Sequence, residues 1–318
     1  YLQDPALNFP EKCYIMKEKI RFAGGKEKMP PKKQKQFSTR QLMDAPDFEV
    51  FHYMDAHPVD VDYHSHDFYE IYFFLSGRVS YVIEGKTYHL RPGDMLLTNN
   101  RELHKPLIAD GRIYERFVVW ISPSFLHSLG DETTDLSRCF DASSRRHYNL
   151  LRLTGESLQT IRKLLDRLEA AAERGGFGSG VLRRAYLMEL LVAVNLAYFG
   201  SVSSEETDIV YNPKVSEILR YINNNLCGDL SLDALSQRFY VSKYHLSRQF
   251  KQYVGLTIHQ YIMKKRLIAA KLLLLEGSTI SEAYIGSGFG DYSNFLKGFK
   301  QEFGLSPRKF LELERDDL

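Results

Sequence analysis

The sequence FKQYVGLT at residues 250–257 returns as FKQEFGLS at residues 299–306. An internal repeat of this kind indicates that one supersecondary unit occurs twice in the chain. Each copy follows a short amphipathic segment and a break, at 240–242 in the first copy and at 286–291 in the second. A short helix, a tight turn and a second helix with a polar N-cap form a helix-turn-helix, so the repeat predicts two such units.

The second helix of each unit has one apolar and one polar face. The apolar stripes, at i, i+4 and i+7 or i+8, consist of Leu246, Phe250 and Tyr253, and of Phe295, Phe299 and Phe303. A helix that enters a major groove needs cations and hydrogen-bonding groups on its other face. The residues predicted to contact DNA are therefore Lys243, Tyr244, Ser247, Arg248 and Lys251, and Tyr292, Ser293, Leu296, Lys297 and Lys300. We expect Arg248 and Lys297 to meet guanine edges, and Lys251 and Lys300 to meet phosphate.

The charge of this segment supports the same interpretation. Residues 231–310 contain 12 lysines and arginines and 5 acidic residues, a net charge of +7, whereas the whole chain has only +2. A single outward lysine is equally well explained as part of a solvated surface. A basic module on a mildly acidic body, however, is typical of proteins that bind nucleic acid.

Residues 258–276 lie between the two units, with apolar residues at helical spacing and Gly277 as a C-cap. A helix of that length extends about 30 Å at ~1.5 Å per residue. Two reading helices held apart on this scale would reach successive major grooves, which lie roughly 34 Å apart on one face of the duplex. One chain would then contact two groove segments.

Residues 213–312 resemble the DNA-binding domain of the AraC/XylS family of bacterial transcription regulators. The matching positions are Leu232, Leu235, Ser242, Leu246, Phe250, Gly255, Tyr261, Arg266, Ala270, 273–274, Ile280, 288–289, Phe295, 299–300, Gly304, 306–307 and Phe310. In that family the base contacts fall, in this sequence, on Tyr244, Ser247, Arg248, Tyr292, Ser293, Leu296 and Lys297. The resemblance implies double-stranded DNA as a partner, a homodimer, and RNA polymerase as a further partner.

The N-terminal half has a different pattern, with short apolar or alternating runs separated by turn residues. The runs are 48–53, 71–75, 79–83, 86–90, 95–97 and 117–121. The turn signals between them include Ser76-Gly77, Glu84-Gly85 and Arg91-Pro92-Gly93-Asp94. Many short strands at this spacing predict a β-sandwich or barrel.

Within this region His64, His66, Glu70 and His104 have the spacing of the two cupin motifs, so the segment resembles a cupin barrel. In metal-binding cupins these four side chains are ligands, and such a set suits Fe, Mn, Ni or Zn. In AraC-like regulators a similar barrel senses a small molecule, often a sugar. We expect an effector site without a cofactor, with the aromatic faces of Phe68, Tyr69 and Trp120 beside the four polar residues. A bound metal and a purely structural role are the alternatives.

The predicted fold is α+β and multidomain, with a cupin-like β-barrel and flanking helices followed by an all-α domain with two helix-turn-helix units joined by a long helix. The predicted boundaries are a basic, disordered tail at 1–43, the barrel at 44–125, a helical dimerisation or support region at 126–200, a linker at 201–212 and the DNA-binding domain at 213–318. The apolar surface of 181–199 would be covered either by another subunit or by the barrel.

The three cysteines, Cys13, Cys139 and Cys227, are scattered and have no metal-ligand spacing, which fits a cytoplasmic protein without disulfides. The sequence as a whole predicts a cytoplasmic, ligand-responsive DNA-binding regulator that is not an enzyme and has no membrane partner. The alternatives are a metal-dependent cupin enzyme fused to a DNA-binding module, and a purely architectural DNA binder.

Overall fold

The computed structural model of the chain describes residues 42–57, 60–109, 111–141, 149–200 and 208–316. The predicted basic tail, 1–43, lies outside these residues except for Leu42 and Met43. Residues 201–207 of the predicted linker lie outside them as well.

The described residues include nine strands in two antiparallel sheets that enclose a shared interior. The strands are β1 (Phe48–Asp55), β2 (Tyr69–Ser76), β3 (Val79–Ile83), β4 (Lys86–His89), β5 (Asp94–Thr98), β6 (His104–Ile108), β7 (Tyr114–Ile121), β8 (Leu150–Arg152) and β9 (Ile209–Val210). The larger sheet has the order β1-β7-β2-β5-β8, and the smaller has the order β6-β3-β4-β9. The cupin-like barrel is confirmed, and each of the six predicted strands lies in it.

The barrel extends beyond the predicted range of 44–125. Strand β8 comes from the region predicted to be helical and pairs with β5, and β9 comes from the predicted linker and pairs with β4. Arg152 of β8 connects the two sheets. Its guanidinium donates to Asp94 at the start of β5 at 3.0 Å and to Asp208, just before β9, at 2.5 Å. Strands of two or three residues carry too little alternation to be recognised from sequence.

Strand β2 is apolar on both faces because it lies between two cores. Tyr72 and Phe74 point into the barrel interior, whereas Ile71 and Phe73 point to the outer face of the sheet. Successive side chains of a strand point to opposite faces, so a run of apolar residues fits a sheet that is covered on both sides.

Helices α1 (Pro123–Ser128), α2 (Gly155–Arg174) and α3 (Ser179–Gly200), with a 3-10 turn at Arg138–Phe140, cover that outer face. Helix α3 buries Leu187, Leu190, Leu191 and Val194 in the core that it shares with α2, the 3-10 turn and this face of the sheet. This side of α3 is thus covered within the chain. Among the described residues no helix combines the length and the apolar composition that crossing a membrane requires.

The C-terminal helices are α4 (Pro213–Asn224), α5 (Leu232–Phe239), α6 (Lys243–Val254), α7 (Ile258–Leu275), α8 (Ile280–Gly286), α9 (Tyr292–Phe303) and α10 (Pro307–Asp316). The pairs α5–α6 and α8–α9 are the two predicted helix-turn-helix units, and α7 is the predicted long helix between them. Ser242 and Asp291 cap α6 and α9 by accepting from the third backbone N–H of each helix. Gly288 has φ +84°, and a Cβ there would lie 2.1 Å from the Leu226 carbonyl oxygen, so the second turn requires glycine.

Candidate functional site

The residues predicted to contact DNA lie on the outward faces of α6 and α9. Arg248, Lys251, Lys297 and Lys300 are exposed, and Ser247 and Leu296 are half-buried. Behind them Phe250 and Phe299 are completely buried. The division into an apolar back and a polar front is therefore present in both helices.

The positive charge of 231–310 is not all available to DNA. Lys264 is paired with Glu302 inside the domain, and Lys265 and Lys271 are paired with acidic residues of the barrel. Lys243, a predicted DNA contact, lies against Asp233 of α5. Tyr292 is partly covered by Tyr284, whose ring centroid lies 5.2 Å from its own. The electrostatic attraction to DNA thus depends mainly on Arg248, Lys251, Lys297, Lys300 and their neighbours.

Six of the seven predicted effector residues come together at one end of the barrel: His64, His66, Phe68, Glu70, His104 and Trp120. The prediction for Tyr69 is wrong. Its side chain points to the outer face of the larger sheet and packs against Phe140, with ring centroids 4.9 Å apart. Since Glu70 points inward from β2, its neighbour Tyr69 must point outward.

Three histidines in this group are held in the same way. Nδ1 of His64 donates to the Asp62 carbonyl at 3.0 Å, Nδ1 of His66 to Phe68 at 2.7 Å, and Nδ1 of His104 to Glu102 at 3.0 Å. A carbonyl oxygen only accepts, so each Nδ1 carries the proton. In a neutral ring Nε2 is then left with a lone pair.

Burial keeps these rings neutral. It lowers the pKa of His64 to about 4 and that of His66 to about 3, and it holds the pKa of His104 well below its ordinary value, with the neighbouring imidazoles acting in the same direction on His66 and His104. The Glu70 carboxylate accepts from Trp120 Nε1 at 2.9 Å. Burial raises the pKa of Glu70 to about 7, against the effect of that hydrogen bond.

Flat rings fill the space around these polar groups. His66 stacks on Phe68 with centroids 4.0 Å apart, and Phe68 lies 4.6 Å from Trp120. Tyr81 stacks on His104 at 6.0 Å. The site is thus a packed polar cluster, with the ligand atoms of His66, Glu70 and His104 within 4.8 Å of one another. His64 lies beside His104, with centroids 4.3 Å apart, but outside that set of three.

Glu84, at the turn between β3 and β4, extends from the barrel into the DNA-binding half. Its carboxylate accepts from Lys265 Nζ at 2.9 Å, from Asn223 Nδ2 at 3.3 Å and from the Tyr261 hydroxyl. Burial by itself raises the pKa of Glu84, but Lys265 and the hydrogen bonds outweigh it, so the pKa lies below its ordinary value. The carboxylate is therefore charged and forms a buried ion pair with α7.

The backbone conformation of the Glu84–Gly85 turn allows the barrel to approach the DNA-binding half closely. Glu84 and Gly85 both have positive φ, 45° and 73°, as a tight two-residue hairpin turn requires. A Cβ on Gly85 would lie 2.7 Å from Leu219 of α4 and 3.2 Å from Val254 of α6. A glutamate in this conformation is strained by about 1–3 kcal/mol, and such strain is commonly found where a residue has a function.

The residues next to each histidine contact the DNA-binding half. Tyr63 packs against Gly255, which follows α6, and Leu103 is buried in the core formed by α4, α5, α6 and α7. The Asp67 carboxylate pairs with Lys271 Nζ of α7 at 2.9 Å. In segments 63–67 and 102–104 the histidines thus belong to the polar cluster, and the residues next to them form the contact with the DNA-binding half.

Comparison with known proteins gives the family. Residues 46–191 match the model described as "AraC-like ligand binding domain", and residues 235–312 match a helix-turn-helix domain model. The chain belongs to the AraC/XylS family of transcription regulators. It is 27% identical over 246 residues to the transcriptional activator RhaS of Salmonella arizonae, covering 77% of this chain and 85% of that protein. It is also 27% identical over 248 residues to RhaS of Escherichia fergusonii, covering 77% and 86%.

Among solved structures, ToxT from Vibrio cholerae with bound unsaturated fatty acid is 15% identical, covers 85% of this chain and 97% of its own, and has a TM-score of 0.37. The C-terminal domain of AraT from Geobacillus stearothermophilus is 29% identical over 32% of this chain and 86% of its own, with a TM-score of 0.31.

Sequence reasoning missed the surface between the two halves of the regulator. The sequence indicated Glu84 only as part of a turn, and no pattern singled out Asp67 or Leu103. One signal was present in α7, where Lys265 lies between Tyr261 and Ile268 on the buried stripe and is itself buried. A lysine at an apolar position of a helix indicates a buried partner, but not which one.

Replacing Glu84 by glutamine leaves the buried ammonium of Lys265 without its counter-charge. We expect Glu84→Gln to lower the free energy of unfolding by about 3 kcal/mol, measured by urea denaturation with circular dichroism. Glu312→Gln breaks an exposed pair with Arg308 and should cost less than about 0.5 kcal/mol.

Adding Lys265→Met to Glu84→Gln removes the uncompensated charge and should restore part of the stability. Equal effects of Glu84→Gln and Glu312→Gln would show that the pair contributes nothing to the docking of the two halves.

Proposed function

We propose that this regulator binds specific sequences of double-stranded DNA through α6 and α9, in the cytoplasm, and that an effector at the histidine-rich end of the barrel controls that binding. The observation that carries the proposal is the adjacency of the two surfaces. Tyr63, Asp67 and Leu103 contact the DNA-binding half, and the neighbouring histidines belong to the polar cluster. A ligand that moves the histidines must move these contacts as well.

The coupling acts on the back of the first helix-turn-helix unit. The Glu84–Gly85 turn packs closely against α4 and against Val254 at the end of α6. This contact lies on the side of α6 opposite the predicted DNA contacts. A ligand that changes this contact changes the orientation of α6, and with it the DNA half-sites that the regulator reads. By linkage, DNA and effector then change each other's affinity by the same factor.

The effector class that the sequence predicts is a sugar or a carbohydrate derivative. Imidazole and carboxylate groups for hydroxyls, beside the flat faces of Phe68 and Trp120, support this class. A sugar would have to separate rings whose centroids now lie 4.0–4.6 Å apart. Binding of a sugar therefore requires the end of the barrel to open.

The partners of the regulator are a second copy of the chain and RNA polymerase. Helix α3 leaves one face outside the barrel, with exposed apolar side chains at a spacing of three, four or seven residues: Val181, Met188, Val192, Leu196 and Phe199. This spacing suits the packing of two helices against each other in a symmetric dimer. Contact with RNA polymerase would let the bound dimer activate transcription. The family consists of regulators, and we propose no enzymatic reaction.

The proposal is tested by footprinting the purified regulator on the DNA upstream of its own and neighbouring genes, with and without a panel of sugars. We expect a protected pair of sites, one for each protomer, whose protection changes with one sugar. A footprint that stays the same with every sugar would contradict only the proposal that the effector is a sugar. Loss of all protection in a folded protein would contradict the DNA-binding function.

Arg248 and Lys251 should differ in how their loss affects DNA binding. Arg248→Ala should remove about 1–3 kcal/mol of discrimination at one or two base positions, because the guanidinium reads base edges. Lys251→Ala should weaken all sequences alike and reduce the salt dependence by about one counterion, because it meets phosphate. Binding assays on single-base variants of the protected site distinguish the two. Equal losses at every base for Arg248→Ala would contradict its role.

A charge on the exposed face of α3 should separate the protomers. Leu196 is 68% exposed, so Leu196→Glu leaves the fold intact but buries two like charges in the dimer. We expect the dissociation constant, measured by sedimentation, to rise by at least about 100-fold. Phe177→Glu, at a fully exposed apolar residue between α2 and α3, is the matched control and should leave it unchanged. Dimerisation unaffected by Leu196→Glu would place the contact elsewhere.

A further inference from the structure

Tyr240 lies in the turn of the first helix-turn-helix unit and combines two unfavourable features. Its backbone has φ 53° and ψ 43°, the left-handed conformation that residues with a side chain rarely adopt. Its side chain is 95% exposed and has no ring contact or hydrogen bond among the described residues. Glu84 is the other described residue besides glycine that has positive φ, and its carboxylate is paired with α7. No comparable contact in the described part of the chain explains the strain at Tyr240.

The turn itself does not require a tyrosine. The Tyr240 N–H donates to the carbonyls of Gln237 and Ser236, which any residue other than proline could do. In the second unit the residue with positive φ is Gly288, which adopts this conformation without strain. A glycine at position 240 would form the same turn and expose no ring. A tyrosine that is both strained and exposed therefore indicates a contact outside the chain.

The position of Tyr240 indicates which surface that contact involves. It lies two residues before Ser242, the N-cap of α6, and the exposed surface continues through residues 242–245. Tyr244, a predicted DNA contact in this first turn of α6, is 76% exposed. The contact of α6 with the barrel lies at Val254, at its other end. A helix of 12 residues is about 18 Å long. Tyr240 thus lies away from the barrel, beside the end of α6 that is predicted to meet DNA.

The chemistry of tyrosine suits the DNA backbone at this place. A reading helix contacts base edges through its N-terminal residues, so the turn before it passes close to the sugar–phosphate backbone at the edge of the groove. Tyrosine hydroxyls are among the groups that donate to phosphate oxygens. The positive end of the dipole of α6 favours a phosphate at the same place. The exposed ring can pack against a deoxyribose, which removes apolar surface from water.

We propose that Tyr240 is a further DNA contact of the first helix-turn-helix unit. Its hydroxyl donates to a phosphate oxygen at the edge of the groove that α6 enters, and its ring packs on the adjoining deoxyribose. The contact is the same for every base sequence, so it positions α6 and leaves the reading of bases to Arg248. The inference rests on the proposed function, because it requires α6 to enter DNA.

The substitution Tyr240→Gly should affect folding and DNA binding in different directions. Glycine relieves the left-handed strain, which offsets the greater freedom of the unfolded chain, so the urea midpoint should not fall. The affinity for the protected DNA site should fall at least about 10-fold, because one hydrogen bond and the ring contact are lost. A residue with a purely structural role would lower the urea midpoint as well.

The substitution Tyr240→Phe separates the hydroxyl from the ring. It should weaken binding to all single-base variants of the site alike, by about 3–10-fold, because only a phosphate contact is lost. The salt dependence should not change, since a neutral hydroxyl releases no counterion, in contrast to Lys251→Ala. Phe177→Gly is the matched control. Phe177 is a fully exposed aromatic residue in the N-terminal half, so its loss should leave DNA affinity unchanged.

Ethylation of single phosphates in the protected site locates the contact. We expect one phosphate at which ethylation weakens binding of the unaltered full chain but not of Tyr240→Phe. Equal affinity of the unaltered protein, Tyr240→Gly and Tyr240→Phe would overturn the inference. It is also overturned if the urea midpoint of Tyr240→Gly falls together with its affinity, or if the loss in Tyr240→Phe is confined to one base position. A folded, unaltered protein that binds no DNA would contradict the proposed function, and this inference with it.

Discussion

The arrangement of the two halves depends on the burial of the Glu84 carboxylate against Lys265, Tyr261 and Asn223. A buried charge costs several kcal/mol in lost hydration and is tolerated only where its partners replace the water. Within the barrel the carboxylate accepts only from the backbone N–H of Leu103, at 2.8 Å, among the described contacts. Its counter-charge and its side-chain partners lie on α4 and α7, so the charge of Glu84 is neutralised only when the DNA-binding half is docked. The pair therefore specifies one orientation of the two halves more than it adds to their stability.

The proposed coupling between the barrel and the DNA-binding half requires few residues, because the polar cluster and a second contact with the helices lie on the same backbone segments. Where His64 and His104 pair, the backbone is extended, so neighbouring side chains point in opposite directions. The histidines point into the barrel, and Tyr63 and Leu103 point to the helices. No chain of intermediate residues is needed, because the sensing group and the contacting group are adjacent on one backbone. In the proposed mechanism a small movement of the histidines displaces the neighbouring contacts with the DNA-binding half directly.

The sequence predicted what its local patterns encode. The repeat at 250–257 and 299–306 predicted both helix-turn-helix units, and alternation with turn residues predicted the barrel. Tyr69 was assigned to the wrong face because the aromatic residues were grouped by proximity in sequence and the alternation around Glu70 was not applied. The pairing of Glu84 with Lys265 could not be predicted from the sequence. The two residues are 181 positions apart, and no local pattern at either position indicates the other as its partner. The edge strands β8 and β9 were missed because two or three residues carry no period.

The free energy needed to shift the contact between the two halves limits which ligands can act as an effector. Moving a two-state equilibrium from 1:99 to 99:1 requires a ligand to favour one state by about 5.5 kcal/mol. A sugar in this barrel would first spend binding energy on separating the stacked rings of His66, Phe68 and Trp120. An effector of any class acts on the contact with α7 only through the difference between its affinities for the docked and the released arrangement. Tight binding alone therefore does not move the DNA-binding half; the ligand has to favour one arrangement of the residues beside the histidines.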